Sequence, residues 1–189
     1  MIKLLYFDLE TTGLDSKLHA IHQLAGTVVI DGQVKEHFDI KMKPFDGALV
    51  EKEALEVGGK TVEQIMAYQS QEAAYREFLG ILGRYVQKFD KKDKFFIVGF
   101  NNASFDNPFL REFFLRNNDK YFGSWFWSNT LDVMVFATVK LLNVRHEMEN
   151  FKLKTVAATL GIEIDETKLH EGSYDIFLTR EILVRSLQK

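Results

Sequence analysis

Residues 2–9, IKLLYFDL, are apolar on both faces apart from Lys3 and, near the end, Asp8, which predicts a buried central strand. A second apolar run covers residues 20–30 and meets Asp31-Gly32, a dipeptide suited to a tight hairpin turn. Beyond that turn Val34, Glu36, Phe38, Ile40 and Met42 alternate with Lys35, His37, Asp39 and Lys41. This pattern predicts a third strand, antiparallel to the second and ended by Pro44.

The period then changes. Residues 45–60 read as loop, broken by Gly47, Gly58 and Gly59, and residues 61–68 as a short helix. Ser70 suits an N-cap, followed by Ala74, Phe78, Ile81, Leu82 and Tyr85 at helical spacing. Residues 88–94, KFDKKDK, predict a solvated charged turn, and residues 95–100 a short buried strand. Helices are expected over 103–116, 131–142, 152–160 (closed by Gly161) and 174–187. Strands in hairpin order followed by alternating helix and strand give an α/β class, one mixed sheet flanked by helices.

Composition narrows the function classes. The chain has 189 residues, and that length predicts a single domain over 1–189. No run approaches the ~20 apolar residues that cross a bilayer, and Asp8 comes too early for a signal-peptide core. A soluble cytoplasmic protein with no membrane partner is therefore expected. With no cysteine, disulfides, thiolate zinc sites and thiol nucleophiles are excluded. The formal charge of -3 argues against a basic coat for nucleic acid. It leaves room for an enzyme whose acidic site holds cations.

Chemistry concentrates in three places. Asp8-Leu9-Glu10 ends the first strand, and period-two alternation points both carboxylates the same way. Like charges beside an apolar core raise each other's pKa unless a divalent ion neutralises them. Thr11-Thr12-Gly13 follows with backbone donors able to approach a sugar or phosphate. The second place is Asn101-Asn102-Ala103-Ser104-Phe105-Asp106, where a strand feeds a helix and Asp106 falls in its first turn. The third is His170-Glu171-Gly172-Ser173-Tyr174-Asp175, an imidazole on a loop five residues before an acid. Histidine suits a general base near neutral pH. Each unit alone has an ordinary structural use, and their conjunction carries the signal.

In that order the three units resemble the motifs of the DEDDh branch of the DnaQ-like 3′-to-5′ exonuclease superfamily. These are D-x-E at Asp8 and Glu10, the asparagine-rich strand end leading to Phe105-Asp106, and H-x4-D at His170 and Asp175. Trp125 through Met134 is similar to the exonuclease I group within that branch. The resemblance runs from about residue 4 to 183. It implies a ribonuclease H-like fold with a mixed five-stranded sheet, and hydrolysis of single-stranded or frayed ends to nucleoside monophosphates, DNA favoured over RNA. Asp8, Glu10, Asp106 and Asp175 would hold two Mg2+ or Mn2+ ions, with His170 as general base. Thr11, Thr12, Gly13, Leu14, Asn102 and Phe105 would meet the terminal nucleotide. Implied partners are single-stranded DNA or RNA 3′ ends and a DNA polymerase, with the chain a monomer or homodimer. An idle module that binds 3′ ends or a polymerase, and an RNA-trimming exoribonuclease, are the alternatives.

This chain departs from the family pattern at His22-Gln23, where many members carry an acid, at Gly172, where alanine is usual, and at Asn101-Asn102, where His-Asn is common. The aromatic stretch 121–127 reads as core in preference to base stacking. Asp132 suits a helix start and, by the resemblance, a supporting place near the site. His19, His22 and His37 read as structural or surface residues.

Overall fold

The computed structural model describes residues 1–169 and 171–188. Strands β1 (Lys3–Thr11), β2 (Ile21–Ile30) and β3 (Gln33–Lys41) form an antiparallel meander. Asp31 and Gly32 both adopt positive φ, 47° and 81°, in the turn that closes the β2–β3 hairpin. Strand β4 (Phe96–Gly99) lies parallel to β1, and β5 (Leu131–Asp132) parallel to β4. The order β3-β2-β1-β4-β5 places β1 at the centre, as its two-faced apolarity requires.

The helices are α1 (Lys52–Val57), α2 (Val62–Met66), α3 (Gln71–Tyr85), α4 (Asp106–Arg116), α5 (Phe122–Trp125), α6 (Val133–Lys140), α7 (Leu153–Thr159) and α8 (Gly172–Leu187). Leu5, Phe7 and Leu9 of β1 face one apolar layer, with Phe78 of α3 and Phe109, Phe113 and Phe114 of α4. Tyr6 faces the other, with Val133 and Ala137 of α6, Val156 of α7 and Ile176 and Ile182 of α8. Period two therefore sends Asp8 and Glu10 to the α8 side of the sheet.

Ser70 caps α3 by accepting from Ala73 N at 3.2 Å, and Gly161 follows α7 at φ 71°. Thr61 and Gln64 make a reciprocal capping box at α2. In the stretch 121–127, Phe122, Trp125 and Phe126 are buried in the α3–α4 layer, whereas Tyr121 is exposed. The buried Lys3 ammonium is held by the Tyr85 carbonyl and Asp93. The charged turn thus supplies one structural partner as well as solvated lysines.

Boundaries differ from the sequence pattern in several places, among them the last helix, which begins at Gly172 rather than 174 and so takes Gly172 out of the loop. Residues 45–60 contain α1, whose single buried residue, Leu55, leaves almost no amphipathic signature. Helix α4 starts at Asp106 rather than 103, because Asn101 takes φ 61° and Asn102–Ser104 form a turn first. The helix expected from 131 begins at Val133, since Leu131 and Asp132 pair with β4. A two-residue strand has no periodicity to read.

Candidate active site

The carboxyl ends of the parallel strands β1, β4 and β5 lie at one edge of the sheet, where open α/β sheets present their ligand crevice. Asp8 and Glu10 project there from β1, next to the antiparallel partners Ala25 and Gln23 of β2. Asp106 enters from the first turn of α4 and is buried, its Oδ1 accepting from Leu9 N at 3.2 Å. That bond ties the second acidic motif to the first across nearly a hundred residues. Asp175 comes down from the first turn of α8.

Electrostatics show how closely the four acids are gathered. Burial raises the Asp8 pKa far above the usual carboxylate range, and the charges of Asp106, Glu10 and Asp175 raise it further. Glu10 is pushed up to about 7 by burial and by Asp175, against the opposing charge of Lys60. Burial also raises Asp106, with Asp132 and Glu10 adding repulsion. Repulsion among buried acids costs stability, and the all-oxygen donor set fits hard divalent cations. Among the described residues no three carboxylate or imidazole side chains converge as ligands of one ion.

Two glycines allow close packing around the site, Gly172 beside Asp8 and Gly13 against His19. A Cβ at Gly172 would lie 2.6 Å from the Ala25 Cβ and 3.8 Å from Asp8 Oδ2, so the start of α8 packs directly on β2. A Cβ at Gly13 would overlap the His19 ring at 2.2 Å. His19 is buried under the turn after β1, with Nε2 3.2 Å from Glu51.

Of the nucleotide-contact candidates, Thr11 is buried and its hydroxyl donates to Gly13 O at 2.8 Å. Thr12 is buried too, donating to Leu49 O at 2.6 Å and accepting from Ala20 N at 2.9 Å. Both hydroxyls hold the turn, and so does the Thr12 backbone, whose N donates to Ala20 O at 2.9 Å and whose O accepts from Glu51 N at 2.8 Å. Leu14 is exposed, and with half-buried Phe105 it lines a cavity of about 350 Å3 completed by Asp15, Ser16, Ser104, Pro108 and Phe109. Phe105 rests against Phe109 with ring centroids 5.3 Å apart. Asn102 is buried, donating to Thr130 Oγ1 at 2.9 Å, while its Oδ1 has no hydrogen-bond partner. His170 lies outside the described residues.

Asp132 is more than a helix start. Its carboxylate accepts from Met134 N at 3.0 Å, Asn101 N at 2.9 Å and Ala103 N at 3.1 Å, fixing the turn that delivers Asp106. The sequence pattern missed a second cleft of about 300 Å3 beside Glu10, lined by His22, Gly58, Lys60 and Gly172 among others. His22, set aside as structural or surface, is buried in its wall; burial and the Lys60 charge pull its pKa down to about 4, so its ring is neutral. Its only sequence signal was its place in a strand where an acid is usual.

The chain is similar to known nucleic-acid enzymes over nearly all of its length. It is 26% identical over 181 residues to a PolC-type DNA polymerase III of Mycoplasmopsis pulmonis, covering 94% of this chain but 11% of that protein. With a ribonuclease T of Blochmanniella pennsylvanica it shares 25% over 197 residues, covering 96% of this chain and 82% of the relative. E. coli exonuclease I in complex with a dT13 oligonucleotide superposes with a TM-score of 0.75 at 22% identity, over 99% of this chain and 41% of that one. The last likeness establishes the mixed five-stranded ribonuclease H-like fold. None of the helices among the described residues is long and apolar enough to cross a membrane. The exonuclease family model of the RNase T type matches residues 5–183, and the chain accordingly belongs to this DnaQ-like exonuclease family.

Proposed function

We propose that this chain is a divalent-metal-dependent 3′-to-5′ exonuclease of the DEDDh type, removing nucleoside 5′-monophosphates from single-stranded or frayed ends. The observation that carries the reading is the gathering of Asp8, Glu10, Asp106 and Asp175 from three separate elements at one sheet edge, each charge felt by another. Nothing in packing calls for four acids there, whereas metal-assisted phosphodiester hydrolysis does.

In this reading Asp8, Glu10, Asp106 and Asp175 hold two Mg2+ or Mn2+ ions. When bound, such a pair supplies Lewis-acid stabilisation of the attacking and leaving oxygens of an in-line displacement. His170 takes the proton of the attacking water. The water oxygen bonds to phosphorus as the bond to the 3′ oxygen of the preceding nucleotide breaks. The departing 3′ oxygen takes a proton from solvent, so the shortened strand ends in a 3′-hydroxyl and the released nucleotide keeps its 5′-phosphate. Thr11 and neighbouring backbone groups meet the terminal 3′-hydroxyl, which enforces attack from the end. Leu14 and Phe105 flank the terminal base in the cavity they line.

Single-stranded DNA is the favoured substrate, supported by the likeness to an exonuclease I held with an oligonucleotide. RNA trimming is the second reading, supported by the ribonuclease T relative, most of whose length this chain spans. The similarity to PolC-type polymerases supports a polymerase as partner. The test is product analysis of matched 5′-labelled DNA and RNA oligonucleotides, with magnesium or with EDTA, beside Asp8→Asn. A ladder shortening from the 3′ end only with wild-type protein and metal is expected. Binding without release by the wild type would establish an idle module instead, and cutting of closed circles an endonuclease.

A further inference from the structure

The cleft beside Glu10 holds a positive charge that an acidic metal site does not by itself require. Lys60 follows Gly58-Gly59, between α1 and α2, and its backbone is fixed on both sides. Gly59 N donates to Glu56 O at 3.1 Å, Lys60 N to Leu55 O at 2.9 Å, and the next residue, Thr61, begins the capping box of α2. Gly59 takes φ 61°, a conformation that favours glycine and turns the chain so that Lys60 enters the cleft. A Cβ at Gly58 would sit 3.8 Å from Glu10 Oε2 and 4.0 Å from Lys60 Cγ, so the bare glycine lies between the acid and the lysine stem.

Lys60 lines the cleft together with Glu10 and His22, which places its charge beside the acids. Among the described residues, no carboxylate stands within 4.0 Å of it. The other lysine of the cleft, Lys41, is 3.6 Å from Asp39. A lysine pre-positioned by its backbone, near but not paired with an acid, is suited to an anion arriving from outside.

Building on the exonuclease reading, we propose that Lys60 is a substrate-contacting residue whose Nζ donates to a phosphate oxygen of the 3′-terminal nucleotide. It remains on that phosphate in the released monophosphate. Gly58, with no side chain, leaves space beside Lys60 in a cleft whose wall also carries Asp39 and Glu171.

The experiment measures inhibition by dTMP and by thymidine in wild type, Lys60→Met and Lys60→Arg, using a 5′-labelled oligothymidylate with magnesium. The contact predicts that Lys60→Met raises the dTMP inhibition constant about tenfold, the scale of a hydrogen bond to a charged group. Thymidine inhibition stays unchanged, and Lys60→Arg restores most of the dTMP affinity. The salt dependence of kcat/KM also becomes shallower by about 0.7 in its logarithmic slope, one phosphate contact on a single strand. Equal effects on dTMP and thymidine, or none on either, would overturn the assignment. If wild type releases no dTMP from the oligonucleotide, the exonuclease reading fails separately, and calorimetric dTMP binding to the three proteins still decides the Lys60 contact.

Discussion

Glu10→Gln separates the cost of the acid cluster from its use. The substitution keeps size and shape and removes one charge. Glu10 has its pKa displaced from 4.5 to about 7, chiefly by burial and then by Asp175. At about 1.4 kcal/mol per pH unit of displacement, keeping it ionised in the folded protein costs about 3 kcal/mol. The sign follows from proton binding. Well below pH 4.5 the carboxyl is protonated in both folded and unfolded chains and contributes nothing. Between 4.5 and 7 the folded protein binds the proton more tightly than the unfolded one, so stability falls as pH rises. Above 7 the full cost is present. In EDTA at pH 8, Glu10→Gln should therefore melt higher by roughly 6–12 °C, at about 2–4 °C per kcal/mol for a chain of this size. By pH 5 the advantage shrinks to under about 1 kcal/mol. Thermal melts by circular dichroism across pH 5–8 provide the measurement. Added magnesium should narrow or reverse the difference, because binding stabilises the wild type through a ligand the variant has lost. A variant that melts at or below the wild type at pH 8 in EDTA would refute the account of Glu10 as a buried acid raised by burial and by the charge of Asp175.

Gly172→Ala should cost at least a hundredfold in nucleotide release while the protein stays folded, because the new methyl meets Ala25 and shifts the turn bearing Asp175; adding Ala25→Gly should restore rate in the same assay. Asp132→Ala removes the acceptor of three backbone N–H groups and should destabilise by about 1–3 kcal/mol in urea titration, with a fall in activity from the loosened approach to Asp106. His170→Ala should lower kcat by ~10²–10⁴ and flatten the rise of rate between about pH 6 and 8; an unaltered profile would remove it from the role of base.

Much of the architecture was legible because local patterns are strong where one physical demand dominates. The two-faced apolarity of residues 2–9 marks a central strand, Asp31-Gly32 supplies the positive φ of a hairpin, and Ser70 and Gly161 bracket helices. The same alternation that buries Leu5, Phe7 and Leu9 determines that Asp8 and Glu10 share a face. These consequences depend on neighbours in the chain, so sequence alone determined them. The pairing of Leu131 and Asp132 with β4, the meeting of Asp106 with Leu9 N, and the entry of Lys60 and His22 into the cleft beside Glu10 were decided by tertiary structure. Each joins segments tens of residues apart, and no local periodicity records which of many possible partners a polar group will find. Two residues make too short a strand to show alternation, and a lysine after two glycines looks like any solvated loop. Only the parallel packing of β1, β4 and β5, with α8 set against β2 by Gly172, brings those groups to one edge and gives their charges a common task.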